Sequence, residues 1–232
     1  MPKISVLLPV KNGAKYIAES IESTLDQSFT DFEILVFDDN STDNTIGIIN
    51  RYKDPRIKLY QSKACFISNL NTGLEISSGK YIARMDADDL MSPIRLETQF
   101  RIMENSDVDV CGSWILMFGE GMKSYVHAIF EGYIENPIRR LRHTCIVAHP
   151  SVMLRKEFFI NNNLRYQNYP HVEDYKLWFE AAKKNAVFYV EPQVLLAYRN
   201  SAEQITKIRE KEIGEQSIVI RNEVNKYLNL ES

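Results

Sequence analysis

Much is scarce in this 232-residue chain, and each scarcity narrows what it can be. Its three cysteines, Cys65, Cys111 and Cys145, are odd in number and share no CxxC or Cys/His spacing. That argues against a disulfide framework or a zinc site and leaves reduced, buried thiols as the expectation. Charge of one sign is not in excess: the formal net charge is −3, so no broad polyanion-binding surface is implied and nucleic acid is not expected as a partner. Arg139-Arg140-Leu141-Arg142 is a short local exception. No segment approaches the roughly 20 apolar residues a spanning helix needs, and the run Ile4-Ser5-Val6-Leu7-Leu8 is too short for a signal peptide. The expectation is a cytoplasmic protein, with any membrane contact peripheral, at the inner face. A glycine-rich, basic phosphate-gripping loop is missing near the N-terminus, as are internal repeats and low-complexity tracts.

What is present is a globular composition, 44% apolar, enough to bury one full core. The first half alternates short β-branched runs with segments of helical period, the pattern of βαβ units and a mainly parallel sheet. Strands are expected at Ile4–Pro9, Glu33–Phe37, Ile57–Tyr60, Tyr81–Met85 and Val108–Ser113. Tyr16/Ile17, Ile21 and Leu25, then Phe66, Leu70 and Leu74, each give one apolar helix face between them. Ser92-Pro93 predicts a capped helix running to about Asn105. Beyond residue 115 the alternation fails: Gly119 and Gly121 mark a loop, a helical stretch follows near Pro137–Arg142, and a strand is expected around Val147–Leu154. From Ile205 the spacing of Ile208, Ile213, Ile220, Val224 and Tyr227/Leu228 predicts a final amphipathic helix, which either packs on the domain or pairs with a second copy as a homodimer. The expected division is a nucleotide-binding half, 1–114, and an α+β half with the C-terminal helix, 115–232, joined as one compact domain.

Two acidic turns carry the chemistry. In Met85-Asp86-Ala87-Asp88-Asp89, carboxylates two apart along an extended chain share a face, and two convergent carboxylates suit a hard cation such as magnesium or manganese. Alone, an Asp-x-Asp is as readily a solvated turn before a helix. Phe37-Asp38-Asp39-Asn40-Ser41-Thr42-Asp43 is a second acidic turn after an apolar strand, and ligands of open α/β sheets bind beyond the carboxyl ends of strands. Helix capping explains Ser41 or Thr42 there but leaves Asp39 without a partner. His149 and His171 suit a base, a metal ligand or a structural role. Trp178 and Tyr175 either stack on a sugar or belong to a core helix face. The Arg139–Arg142 patch is a solvated helix face or a contact for an anionic membrane.

Leu8-Pro9-Val10-Lys11-Asn12-Gly13, the second acidic turn through Asn44-Thr45, Asn71-Thr72-Gly73-Leu74 and Tyr81-Ile82-Ala83-Arg84-Met85-Asp86-Ala87-Asp88-Asp89 together resemble family 2 glycosyltransferases of the GT-A fold. Weaker similarity continues through His149-Pro150-Ser151-Val152-Met153, Glu173-Asp174-Tyr175-Lys176-Leu177-Trp178 and Tyr198-Arg199. Lys63-Ala64-Cys65-Phe66 departs from the pattern, standing where glycine is common. The resemblance implies an α/β, GT-A type fold: a mainly parallel twisted sheet flanked by helices, with an acceptor-side half. It implies that Pro9, Val10 and Asn12 line a nucleotide pocket, that Asp39 binds the base, and that Asp86 sits near the ribose with Ala87 beside it. Asp88 would ligate Mn2+ or Mg2+, while Arg84 and Asn71 shape the pocket or touch the donor. On the acceptor side it implies His149, Glu173 and Trp178.

A transferase needs a group to take the proton of the attacking hydroxyl, and Asp174, at the start of a helix anchored by Leu177, Trp178 and Ala181, is the expected base. The alternative is that Glu173 and Asp174 merely complement the positive end of that helix. The function implied is inverting transfer of a sugar from a nucleoside-diphosphate sugar, a UDP-sugar being favoured. The acceptor would be a saccharide or lipid-linked saccharide in surface polysaccharide or glycan assembly. The rivals are a sugar-phosphate nucleotidyltransferase and a non-catalytic module that binds a nucleotide or glycan.

Overall fold

All seven residues of β1 (Ile4–Val10) are buried, as expected of a central strand covered on both faces. In the computed structural model, which describes residues 1–62, 65–201 and 205–228, β1 pairs in parallel with β2 (Phe32–Asp39) and with β4 (Tyr81–Arg84), and β2 with β3 (Ile57–Ser62). Lys63 and Ala64, the first half of the departure noted above, lie outside the described residues. The sheet continues through β9 (Met153–Arg155), antiparallel to both β4 and β6 (Val110–Phe118), and then β10 (Phe188–Arg199), parallel to β6, to the edge strand β5 (Leu90–Met91). Two short strands, β7 (Tyr125–His127) and β8 (Gly132–Tyr133), hang on β6 and β10. Among the described residues these ten strands form one sheet, and the expected division at 114/115 falls inside β6.

The alternation of β1 distributes two cores. Ile4, Val6 and Leu8 pack with α1 (Ile17–Leu25), α2 (Thr45–Ile49) and α4 (Arg95–Glu104). Leu7 faces the other way, toward α3 (Phe66–Ile76), α5 (Pro137–Leu141), α6 (Lys156–Asn161) and α7 (Glu173–Lys183). Gly73 lets α3 close on the sheet, because a Cβ there would run into the Leu7 side chain.

Four expectations are corrected. The helix after Ser92-Pro93 starts at Arg95 without a serine cap. Instead the Gln27 side chain, reaching from beyond α1, accepts from the Leu96 amide at 3.0 Å and donates to the Ser92 carbonyl at 2.8 Å. The strand expected over Val147–Leu154 shrinks to β9, because Pro150 turns His149–Ser151 into a 3₁₀ turn. Cys65 is exposed rather than buried. The final helix divides into α8 (Ile205–Ile208) and α9 (Glu210–Tyr227); Ile220 and Val224 are fully buried, whereas Ile208 and Tyr227 are exposed. Of the two fates considered for that helix, the described residues show α9 packed on α5 and α7. No helix among them is long and apolar enough to cross a membrane.

Candidate active site

Ladder register brings three chain segments to one edge of the sheet. Val10 lies opposite Asp38, and Leu7 opposite Arg84, so the residues following β1, β2 and β4 emerge side by side. The first two segments lock together: Asn12 and Gly13 donate backbone N–H bonds to Ser41 Oγ and Thr45 Oγ1, both at 2.8 Å, while Asn12 Oδ1 accepts from the Thr42 amide at 2.8 Å. Asn12 and Asn40 take left-handed φ values of 51° and 56°, which asparagine tolerates better than most residues. Neither Ser41 nor Thr42 caps α2, whose N-cap Asn44 makes no side-chain cap bond; Asp43, one residue earlier, accepts from the Thr45 amide at 3.0 Å. Asp39 does have a partner, the exposed Lys11 ammonium at 3.4 Å.

The third segment is held from α1. Ser20 Oγ donates to the Asp86 carbonyl at 3.0 Å, and Ser23 Oγ accepts from the Met91 amide at 3.1 Å. Arg95 is fully buried beneath, donating through Nη2 to the carbonyls of Arg84 at 2.8 Å and Val152 at 3.2 Å. The exit of β4 is thus tied to the segment that carries His149.

These loops border a cleft of about 1220 Å³. Of the residues singled out from sequence, Pro9, Val10, Asn12, Asp39, Arg84, Asp86, Ala87 and Asp88 line it, joined by His149, Glu173 and Asp174. Asn71 and Trp178 do not, and both are corrections. The Asn71 amide is spent on the Tyr166 backbone, donating to its carbonyl and accepting from its N–H, each at 2.9 Å. Trp178 is fully buried, edge-on to His149 and Phe188, and serves the core alternative. Tyr175, 3% exposed, is also core, whereas His171 reaches the cleft wall. Sequence reasoning missed Asn69, Trp114 and Phe130, which also line the cleft, and gave no role to Tyr198, which lines it too. The Trp114 indole donates to the Phe130 carbonyl at 2.8 Å, fixing that wall, but nothing in its local spacing marks it.

Arg84 is the electrostatic centre. It is 4% exposed, paired with the Asp86 carboxylate, and its Nε has no hydrogen-bond partner among the described residues. Burial and the neighbouring Asp86 push the Asp88 carboxyl up to about 6, against the pull of Arg84 and Arg199. Asp89 is wholly buried and also held well above the usual carboxylate range, by burial and then by Asp86 and Asp88. Across the cleft, burial pushes Asp174 to about 6, opposed by the Tyr175 amide that Asp174 Oδ1 accepts at 2.7 Å and by Arg84. Burial and then Asp174 take Glu173 to about 7. His149 Nε2 lies 2.8 Å from the Tyr166 hydroxyl, and burial keeps its imidazole neutral, far below its usual range.

Among the described residues no group of three or more His, Cys, Asp or Glu is arranged as a metal cage. Asp86 is engaged by Arg84 and Asp89 by the Arg199 backbone amide at 2.8 Å, which leaves Asp88 as the carboxylate offered to the cleft. A single carboxylate fits a hard cation whose remaining ligands are water and ligand phosphates, not a closed protein site.

Comparison with known proteins gives the family and the fold. The sequence profile of glycosyl transferase family 2 matches residues 5–170. An uncharacterised glycosyltransferase of Haemophilus influenzae is 31% identical over 98% of this chain and 75% of its own length. Among solved structures, TarS 1–349 of S. aureus in complex with UDP-GlcNAc superposes with a TM-score of 0.76 at 22% identity, over 94% of this chain. The mannosyltransferase PcManGT of Pyrobaculum calidifontis, in complex with GDP-Man and Mn2+, gives 0.73 at 17% over the whole chain. The chain spans 65% of each of those two solved chains. Both likenesses show the fold.

Proposed function

Because the chain belongs to glycosyl transferase family 2, we propose that it transfers a sugar, with inversion, from a nucleoside-diphosphate sugar to a hydroxyl of a saccharide or lipid-linked saccharide. The observation that carries this reading is the gathering of two carboxylate groups, Asp86/Asp88 and Glu173/Asp174, on the cleft that Arg84 also lines. One group suits a cation and a diphosphate, the other a proton. A UDP-sugar is the favoured donor; UDP-GlcNAc and GDP-Man, bound by the two similar structures, fit the same chemistry.

In this reading Pro9, Val10 and Asn12 wall the nucleotide, Asp39 meets the base and Asp86 the ribose. Asp88 would hold Mn2+ or Mg2+, which when bound neutralises charge on the leaving diphosphate. Asp174 takes the acceptor hydroxyl proton as the acceptor oxygen bonds to the anomeric carbon. The bond from that carbon to the diphosphate oxygen breaks, and the nucleoside diphosphate leaves with the electron pair. Its raised pKa suits Asp174 to a base working near neutrality. The neutral His149 borders the acceptor.

Calorimetric titration of UDP with manganese, beside turnover of a UDP-sugar, separates the roles. Asp88→Asn should weaken cation-dependent UDP binding, whereas Asp174→Asn should bind UDP like the parent and lose turnover by roughly 10²–10⁴-fold. Pyrophosphate release from a nucleoside triphosphate and a sugar phosphate would instead favour a nucleotidyltransferase.

A further inference from the structure

Arg199 is the last residue of β10, and it touches the acidic run in two ways. Its backbone N–H donates to Asp89 Oδ1 at 2.8 Å, and its Nε donates to the Asp88 carbonyl at 2.7 Å. The guanidinium lies over two aromatic rings, 4.3 Å from the centre of Tyr16 and 4.7 Å from that of Phe118. Its Nη2 reaches Glu19 on α1 at 2.7 Å, and the side chain is 13% exposed. Tyr16 lines the cleft just before α1, and Phe118 ends β6, where its carbonyl accepts from the Asn200 amide at 2.6 Å. One side chain therefore joins the loop after β1, the ends of β6 and β10, and the run at 86–89.

We propose that Arg199 is a positioning residue: its side chain pins the Asp88 carbonyl while its backbone N–H holds the Asp89 carboxylate, which together fix the direction of the Asp88 side chain, and its contact with Tyr16 couples that direction to the nucleotide loop. The reason for arginine is geometric. A planar guanidinium stacks on two rings and still donates in its own plane to two acceptors, whereas an ammonium on a flexible stem does one or the other. A carboxylate that binds a cation depends on its supporting bonds, and loss of such support typically costs about 10–100-fold in metal affinity or activity. The proposal rests on the transferase reading only in taking Asp88 as the cation-binding group.

Three variants of the full chain, Glu19→Gln, Arg199→Lys and Arg199→Gln, test it through two readouts. The first is amide hydrogen exchange over residues 85–91 without ligand. The second is the calorimetric affinity for UDP with manganese. Exchange in that segment should quicken in the order Glu19→Gln, Arg199→Lys, Arg199→Gln while the core strands keep their protection. UDP affinity should fall in the same order, reaching roughly 10–100-fold for Arg199→Gln and partly rescued by lysine. Exchange quickened evenly throughout the chain, or unchanged at 85–91 in a folded Arg199 variant, would overturn the proposal. Glu19 is half-exposed, so Glu19→Gln keeps the test open should Arg199→Gln not fold. If the parent binds no UDP, the transferase reading fails on that result, and the exchange pattern still decides the role of Arg199.

Discussion

Asp174 and Glu173 are neighbouring carboxyls in one partly desolvated corner, and they titrate as a pair, with values near 6 and 7 instead of the usual carboxylate range. A base is active only without its proton, so kcat/KM of the free enzyme should fall as pH drops through about 7 to 6. A pH–rate profile checks this, and an acid limb at about 4 would mean that neither group is the base. Asp86 and Asp88 were legible in the sequence because a parallel strand running into an acidic turn delivers carboxylates to a sheet edge. Arg84 was legible as part of the same motif, but its surroundings were not: its backbone bonds to the distant Val152, and its charge acts on the buried His149 and Tyr166. Asn71 was named from a shared motif, and a motif does not show that its amide is claimed by backbone ninety-five residues away.

At the scale of elements, α1 and the turn after it are the scaffold of the acidic run: Ser20 and Ser23 on α1 and Gln27 just beyond it together hold residues 86–96. Gln27 is 4% exposed and serves three backbone groups, the Ser23 and Ser92 carbonyls and the Leu96 amide. Gln27→Ala should cost about 1–3 kcal/mol, read by denaturant unfolding, because it leaves buried groups unpaired. Serine and proline before a helix signal a cap, yet here a side chain from outside α4 took the role, and no local pattern reveals that. β10 escaped the sequence reading for a related reason. Pro192 lies within it, and its pairing with β6 shifts register between Glu191 and Val194, so alternation is lost over the whole strand. The first-half strands were legible because buried parallel strands are continuous apolar runs, whereas β5, β7 and β8 are too short to show a period.

For the whole molecule, the cleft concentrates ionisable groups whose pKa values move together. Asp88, Asp89, Glu173 and Asp174 hold protons more tightly folded than unfolded, so each adds stability as pH falls through its raised value toward the ordinary one. His149 acts oppositely, losing stability below its ordinary value of 6.5. Glu33, lowered to about 2 because Lys58, Ser5 and Ser78 outweigh its burial, loses stability only on acidification below 4.5. Four carboxyls against one imidazole predict a higher Tm near pH 5.5 than near pH 8 for the ligand-free protein. UDP with manganese should narrow that gap by favouring ionised Asp88. The central claim, that this cleft cleaves the bond between a sugar and a nucleoside diphosphate, is tested most directly by nucleotide release. The purified chain, given a panel of nucleotide sugars, manganese and saccharide acceptors, should liberate a nucleoside diphosphate from one donor, and Asp174→Asn should not. Binding of donors with no nucleoside diphosphate released from any of them, by parent and variant alike, would contradict the account and leave a binding module.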